Sequence, residues 1–197
     1  MDIAYRDIFA AEDTEYEQAF YLMSDSRREK CLRLRLNDDR RRCIAADMLA
    51  RKMISAKTGI EPYRLRFSED GNGKPFAENA DIFFNVAHSG RYVAAAVSAC
   101  GEVGIDIECI KPISPSVMRF FCSERDSRFI LGDTDVTAIS KITDMEVLIR
   151  FFRVWCFKEA FFKKTGEGMG RHAAAISYSE YEKNELVLPD AVICAVE

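Results

Sequence analysis

The chain has 197 residues, 48% hydrophobic and 30% charged, which suits a soluble globular protein of one large domain or two small ones. A net charge of −4 excludes a wholesale basic footprint for nucleic acid, and no apolar run reaches the ~18 residues of a membrane span. Seven cysteines, an odd number with no C-x-x-C pair, argue against a disulfide framework or zinc site and for reduced thiols; with no basic-then-apolar leader at the N-terminus, a cytoplasmic protein is expected.

Residues 1–9 alternate through Ile3 and Tyr5 as a short strand, and Thr14 with Glu17 suggests a capping box opening a helix through Leu22. Ser24 to Arg42 carries eight basic and four acidic residues, a local excess of +4 against the overall sign. Such a run is either a solvated helix face or a surface for an anionic ligand or partner. Ile44, Met48, Leu49 and Met53 follow helical spacing, and Gly59 is placed to cap a helix over residues 38–57. Tyr63 to Phe67 reads as a strand, and Gly71 to Pro75 as a turn whose backbone N–H groups and Lys74 suit either an ordinary hairpin or a phosphate.

Two strands follow, F-F-N-V-A-H and R-Y-V-A-A-A-V, joined at Ser89-Gly90, with His88 running into the turn. V-G-I-D-I-E at Val103 to Glu108 is a third, and the three are expected to share one sheet. Alternation puts Val103, Ile105 and Ile107 on one face and Gly104, Asp106 and Glu108 on the other. The acidic face is either solvated or holds a divalent cation such as Mg²⁺, which takes one or two carboxylates and keeps its other positions for water and phosphate. Lys111 to Pro115, with two prolines, marks the expected division into 1–110, carrying the acidic strand, and 111–197.

A helix is expected at Val117 to Phe121, while Arg125 to Lys141 carries no clear pattern. Thr143 with Glu146 suggests a second capping box, opening a helix that runs to Gly166. On it Trp155, Glu159 and Lys163 share a face, and Glu159 with Lys163 is by itself an ordinary surface pair worth ~0.3–0.5 kcal/mol. Residues from Ala173 onward fit two or three closing strands.

Together G-K-P at Gly73 to Pro75, F-N-V-A-H-S at Phe84 to Ser89, G-I-D-I-E at Gly104 to Glu108 and W-C-F-K-E-A-F-F-K at Trp155 to Lys163 resemble the 4′-phosphopantetheinyl transferases of the surfactin-synthetase-activating type. R-E-K-C at Arg28 to Cys31 and K-P-I-S at Lys111 to Ser114 extend the match. The resemblance implies an α+β fold of two similar halves related by a pseudo-twofold axis, a monomer, with coenzyme A in the cleft between them. It implies Mg²⁺-dependent transfer of the phosphopantetheine arm to a serine of an acyl or peptidyl carrier protein, with release of 3′,5′-ADP, in fatty-acid, polyketide or peptide biosynthesis.

On this chain the resemblance assigns the metal to Asp106, Glu108 and Glu159, the pyrophosphate to Lys163, and the nucleotide and its phosphates to Lys30, Arg42, Lys74 and His88, with Gly73, Pro75 and Asn85 shaping the pocket. Glu159, directly or through a bound water, is the candidate base for the serine hydroxyl. Ala87 departs from the family's serine, so a lost contact to coenzyme A or an altered hold on His88 is expected. A coenzyme A binder without turnover and a metal-dependent pyrophosphate hydrolase are the competing readings; the intact Asp106, Glu108, Glu159 and Lys163 set speaks against the first, and dependence of 3′,5′-ADP release on a carrier protein would exclude the second.

Overall fold

In the computed structural model, which describes residues 1–71, 73–132, 134, 140–169 and 171–197, the chain folds into two units of the same topology. The first has strand β1 (Asp2–Asp7), helices α1 (Asp13–Leu22), α2 (Asp25–Arg33) and α3 (Asn37–Thr58), a small hairpin of β2 (Phe67–Glu69) and β3 (Pro75–Ala77), then β4 (Phe83–Ser89) and β5 (Tyr92–Ser98). The second has β6 (Gly104–Cys109), helices α4 (Pro115–Phe121), α5 (Glu124–Leu131) and α6 (Met145–Thr165), then β7 (Asn184–Val187) and β8 (Ala191–Val196). The main sheets run β1-β5-β4 and β6-β8-β7. In each unit an opening strand, a long helix and a closing hairpin follow in order, and the last strand lies in the middle.

Strand alternation explains the layers. In β5, Val93 and Ala95 pack with α1–α3, while Ala94 and Ala96 join Ile105 and Ile107 of β6 and Ala191, Ile193 and Ala195 of β8 in a core between the two sheets. The other face of β8, Val192, Cys194 and Val196, packs with α6. Each long helix thus covers one sheet, and the sheets share the apolar layer between them. Ala94 and Ala96, with Ala191 and Ala195, keep that layer thin. Both long helices end on a glycine in the left-handed region, Gly59 at φ +72° and Gly166 at φ +77°.

Several expectations change. β6 does not extend the β4–β5 sheet: its backbone pairs with β8, and β4 reaches it through side chains instead, Asn85 Oδ1 accepting from Ile105 N–H at 3.1 Å and Ser89 Oγ from Cys109 N–H at 3.1 Å. The pairing therefore changes sheets between Ser98 and Gly104, whereas Lys111 to Pro115 links β6 to α4.

The α1 N-cap is Glu12, with no side-chain hydrogen bond, and the α6 cap is Asp144, whose carboxylate accepts from Val147 N–H at 3.0 Å, so neither threonine caps. Pro62–Arg64 forms a 3₁₀ turn in place of the expected strand, because the Arg51 guanidinium binds the carbonyls of Pro62 and Leu65 and curls the chain around itself. The unassigned Arg125–Lys141 stretch contains α5, capped by a reciprocal Ser123–Asp126 box; residues 133 and 135–139, like Asn72 of the glycine turn, lie outside the described residues. Ile176 and Tyr178 belong to 3₁₀ turns and connections rather than to strands, leaving two closing strands. All seven cysteines are free thiols, and no helix among the described residues is long and apolar enough to cross a membrane.

Candidate active site

The acidic face of β6 is not solvated. α6 lies on it so closely that a Cβ at Gly104 would sit 1.8 Å from the Ala160 carbonyl oxygen, a contact only glycine permits. Asp106, two residues on, is 5% exposed, and Glu108 and Glu159 are half-buried. Lys163 does not pair with Glu159: its Nζ donates to Asp106 Oδ1 at 2.6 Å, crossing from α6 to β6. Asp106 Oδ2 is buried and has no hydrogen-bond partner. Glu108 Oε2 accepts from Ser89 Oγ at 2.7 Å.

The electrostatics follow from this crowding. Burial pushes Asp106 up to about 6; Lys163 opposes the shift, and the Glu108 and Glu159 charges add to it. Burial also raises Glu159, with Lys163 opposing and Glu108 adding. Three carboxylates are therefore close enough to repel one another, with one lysine to offset them.

Among the described residues no three of His, Cys, Asp and Glu are already drawn together as a metal-ligand set. Asp106 is turned to Lys163 and Glu108 to Ser89. The donor chemistry nevertheless fits a hard divalent cation: carboxylate oxygens only, one of them buried without a partner, in a cluster that needs positive charge. Asp106, Glu108 and Glu159 are the residues that could hold it.

Beside this cluster a cleft of about 350 Å³ is lined by Gly73, Lys74, Pro75, Asn85, Glu159 and Lys163, among others. It brings the glycine turn of the first unit against α6 of the second. Gly73 sits at φ +81°, a backbone that favours glycine, and Lys74 Nζ reaches the Lys164 carbonyl at 3.3 Å and pairs with Glu102. Asn85 is buried, its carbonyl spent on the Ile105 amide.

Arg42 and His88 form a neighbouring group. Arg42 Nη1 donates to the Gly90 carbonyl at 2.5 Å, and crowding by protein atoms, then the Arg42 and Lys163 cations, hold His88 below its ordinary pKa although the residue is exposed. Lys30 stands apart on α2, paired with Glu69. A larger cavity of about 580 Å³, lined by Tyr5, Arg6, Asp47 and Arg51 among others, contains none of the expected residues.

Ala87 lies in the apolar layer between the sheets, between Asn85 and Ser89 on the β4 face turned to β6, and does not line the cleft. Two groups escaped the sequence reading. Ser89 was visible inside F-N-V-A-H-S but carried no signal of contact with Glu108. Lys158, in the same motif as Glu159, is 1% exposed and pairs with the equally buried Asp126 at 2.7 Å. Only the spacing of Lys158, off the Glu159–Lys163 face, hinted at an inward lysine.

Residues 9–100 match a family described as 4′-phosphopantetheinyl transferase, N-terminal, and residues 102–188 match the 4′-phosphopantetheinyl transferase superfamily. The junction coincides with the change of sheets. Among individual proteins, the chain is 33% identical over 181 residues to the 4′-phosphopantetheinyl transferase Sfp of Bacillus subtilis strain 168, covering 90% of this chain and 76% of that one. It is 33% identical over 179 residues to the 4′-phosphopantetheinyl transferase psf-1 of Bacillus pumilus, covering 89% and 72%. A further 4′-phosphopantetheinyl transferase of Bacillus subtilis is 31% identical over 156 residues, covering 79% and 65%. Both units match, in order and over nearly the whole chain: it belongs to the Sfp-type 4′-phosphopantetheinyl transferases.

Proposed function

We propose that this enzyme transfers the 4′-phosphopantetheine arm of coenzyme A to a serine of an apo acyl or peptidyl carrier protein, with Mg²⁺, releasing 3′,5′-ADP, and that it acts as a cytoplasmic monomer. The observation that carries the reading is the crossing of Lys163 and Glu159 of α6 over Asp106 of β6, beside a cleft whose far wall is the Gly73–Pro75 turn. The units are taken to work as the strand pairing divides them, so that β6 acts from the second. Coenzyme A lies between them, with Lys74, Arg42 and His88 toward its nucleotide and phosphates, Lys30 joining them from α2 by leaving Glu69, and Gly73, Pro75 and Asn85 shaping the wall.

The serine oxygen attacks the phosphorus that carries the pantetheine arm, the pyrophosphate bond to the nucleotide breaks, and 3′,5′-ADP leaves with the electron pair. Glu159, whose pKa burial raises, is the acceptor for the serine proton. Lys163 is held at the carboxylate cluster by Asp106 and supplies fixed positive charge to the leaving phosphate oxygens. Asp106, Glu108 and Glu159 would hold the divalent cation, which would neutralise the charge that builds on the pyrophosphate.

The test is the intact mass of an apo carrier protein incubated with this protein, coenzyme A and Mg²⁺, with EDTA and Glu159→Gln controls. A gain of one phosphopantetheine, lost in both controls, is expected. No gain on any acyl or peptidyl carrier, with coenzyme A still bound, would mean a binder without turnover; release of 3′,5′-ADP without a carrier would mean a hydrolase.

A further inference from the structure

Glu108 is held by a residue outside the expected set. β6 is the outer strand of its sheet, so its outward amides need partners other than a neighbouring ladder. Two side chains of β4, four residues apart and on one face, supply partners for two of them: Asn85 takes the Ile105 amide and Ser89 the Cys109 amide. Ser89 does more than Asn85. Its single hydroxyl proton goes to Glu108 Oε2 at 2.7 Å while its lone pair takes the amide at 3.1 Å, which fixes the rotor. Cys109 Sγ in turn donates to the Ser89 carbonyl at 3.4 Å, and the turn residue Gly90, at φ +53°, presses on that sulfur, so that a Cβ there would come within 2.5 Å of it. The end of β4 is thereby locked onto the end of β6.

We propose that Ser89 is the positioning residue for Glu108, engaging one carboxylate oxygen so that the other is presented to the divalent cation. The inference rests on the reading of Glu108 as a cation ligand. A glutamate next to the end of an outer strand has several accessible rotamers, and a second bond fixed by the backbone of its own strand selects one of them. The hydroxyl is essential because it must donate and accept at once; a methyl group in its place would leave both the carboxylate and the Cys109 amide without it.

The experiment measures Mn²⁺ binding by electron paramagnetic resonance on the full chain with coenzyme A and no carrier protein, so that no turnover occurs. Ser89→Ala should weaken Mn²⁺ binding by about tenfold or more, with coenzyme A affinity in EDTA unchanged and hydrogen exchange at the Cys109 amide accelerated. Ser89→Thr should retain the parent's behaviour. Should the alanine variant fail to fold, Ser89→Thr against Ser89→Val, which differ by hydroxyl for methyl in the same shape, makes the same comparison. Equal Mn²⁺ affinity in the parent and Ser89→Ala, while Glu108→Gln weakens it, would overturn this inference and leave Glu108 a ligand. Equal weakening in the threonine and alanine variants would overturn it too, since the hydroxyl would not be the cause. Absence of Mn²⁺ binding in the parent would overturn both readings.

Discussion

His88 shows how one side chain's surroundings set its chemistry. Neighbouring protein atoms and two cations, Arg42 and Lys163, depress its pKa from the ordinary 6.5. The unfolded chain then binds more protons than the folded one between the depressed value and 6.5, so this residue's contribution to stability is present above that window and lost as pH falls through it. By nuclear magnetic resonance one of the chain's two histidines is expected to titrate below 6.5, and to move upward when coenzyme A brings phosphate charge beside the two cations. A titration curve unmoved by the ligand would take His88 out of the phosphate group. Asp106 has the opposite sign: its folded pKa of about 6 lies above the unfolded one, so stability falls as pH rises through that window, which a bound cation would relieve. Ala87 is the residue at which the structure changes the expectation most. Its methyl belongs to the layer between the sheets, so Ala87→Ser is expected to cost about 1–3 kcal/mol in chemical denaturation through a buried hydroxyl. Coenzyme A affinity should stay within about twofold, the usual insensitivity of sites beyond contact distance; a large gain in affinity would restore the family-based expectation.

At the scale of elements, α6 is the part on which the site depends, and two features hold it. Gly104 lets β6 approach its backbone. On its other side Lys158 is buried against α4 and α5, donating to the Phe121 carbonyl at 2.8 Å, the Ala173 carbonyl at 2.7 Å and Asp126. Asp126 also accepts from the amides of Ser123 and Tyr178. Burial alone would raise its pKa, but Lys158 and those amides more than offset it, and the value lies below the ordinary range. Stability from this carboxylate is therefore present above the unfolded pKa and lost on acidification. Lys158→Met leaves Asp126 charged and buried, and should cost about 3–5 kcal/mol in urea unfolding, as broken buried pairs do. Adding Asp126→Asn should recover part of the loss, because the stranded charge is gone. If the single variant is as stable as the parent, the pair does not anchor the helix.

For the molecule as a whole, charge has to be read by place. The net is −4, yet the basic run over residues 24–42 resolves into helices α2 and α3 whose cations are largely engaged: Arg28 with Asp25, Arg33 with Glu29, Arg41 with Asp13 and Arg42 with Asp39. An acidic carrier protein would be repelled by the average surface and attracted only locally. Arg33, 77% exposed, and Arg119, exposed beside Phe120, are suitable probes of such a patch. Arg33→Glu and Arg119→Glu are each expected to lower kcat/KM for the carrier by about 3–10-fold, more at low salt, without changing coenzyme A affinity. Equal rates at every ionic strength would remove these surfaces from carrier docking.

Much of the molecule was legible in one dimension. The long helices, their glycine caps, the β4–β5 hairpin and the pairing of Asp106 with Glu108 on one strand face follow from periodicity and turn chemistry, which depend on neighbours a few residues away. Four motifs in order identified the family. The partners of each group did not follow, since contacts between residues far apart in sequence leave no periodic trace. That β6 pairs with β8, that its acidic face lies under α6, that Lys163 answers Asp106 rather than Glu159, and that Ser89 holds Glu108 were all decided when two sheets packed through a layer of alanines and isoleucines. Packing sets those distances, and at them burial raises the Asp106 pKa while a hydroxyl orients Glu108. Sequence determined the family and which ionisable residues stand in its motifs; only the tertiary structure decided how they are charged and held, because both depend on what is excluded around them.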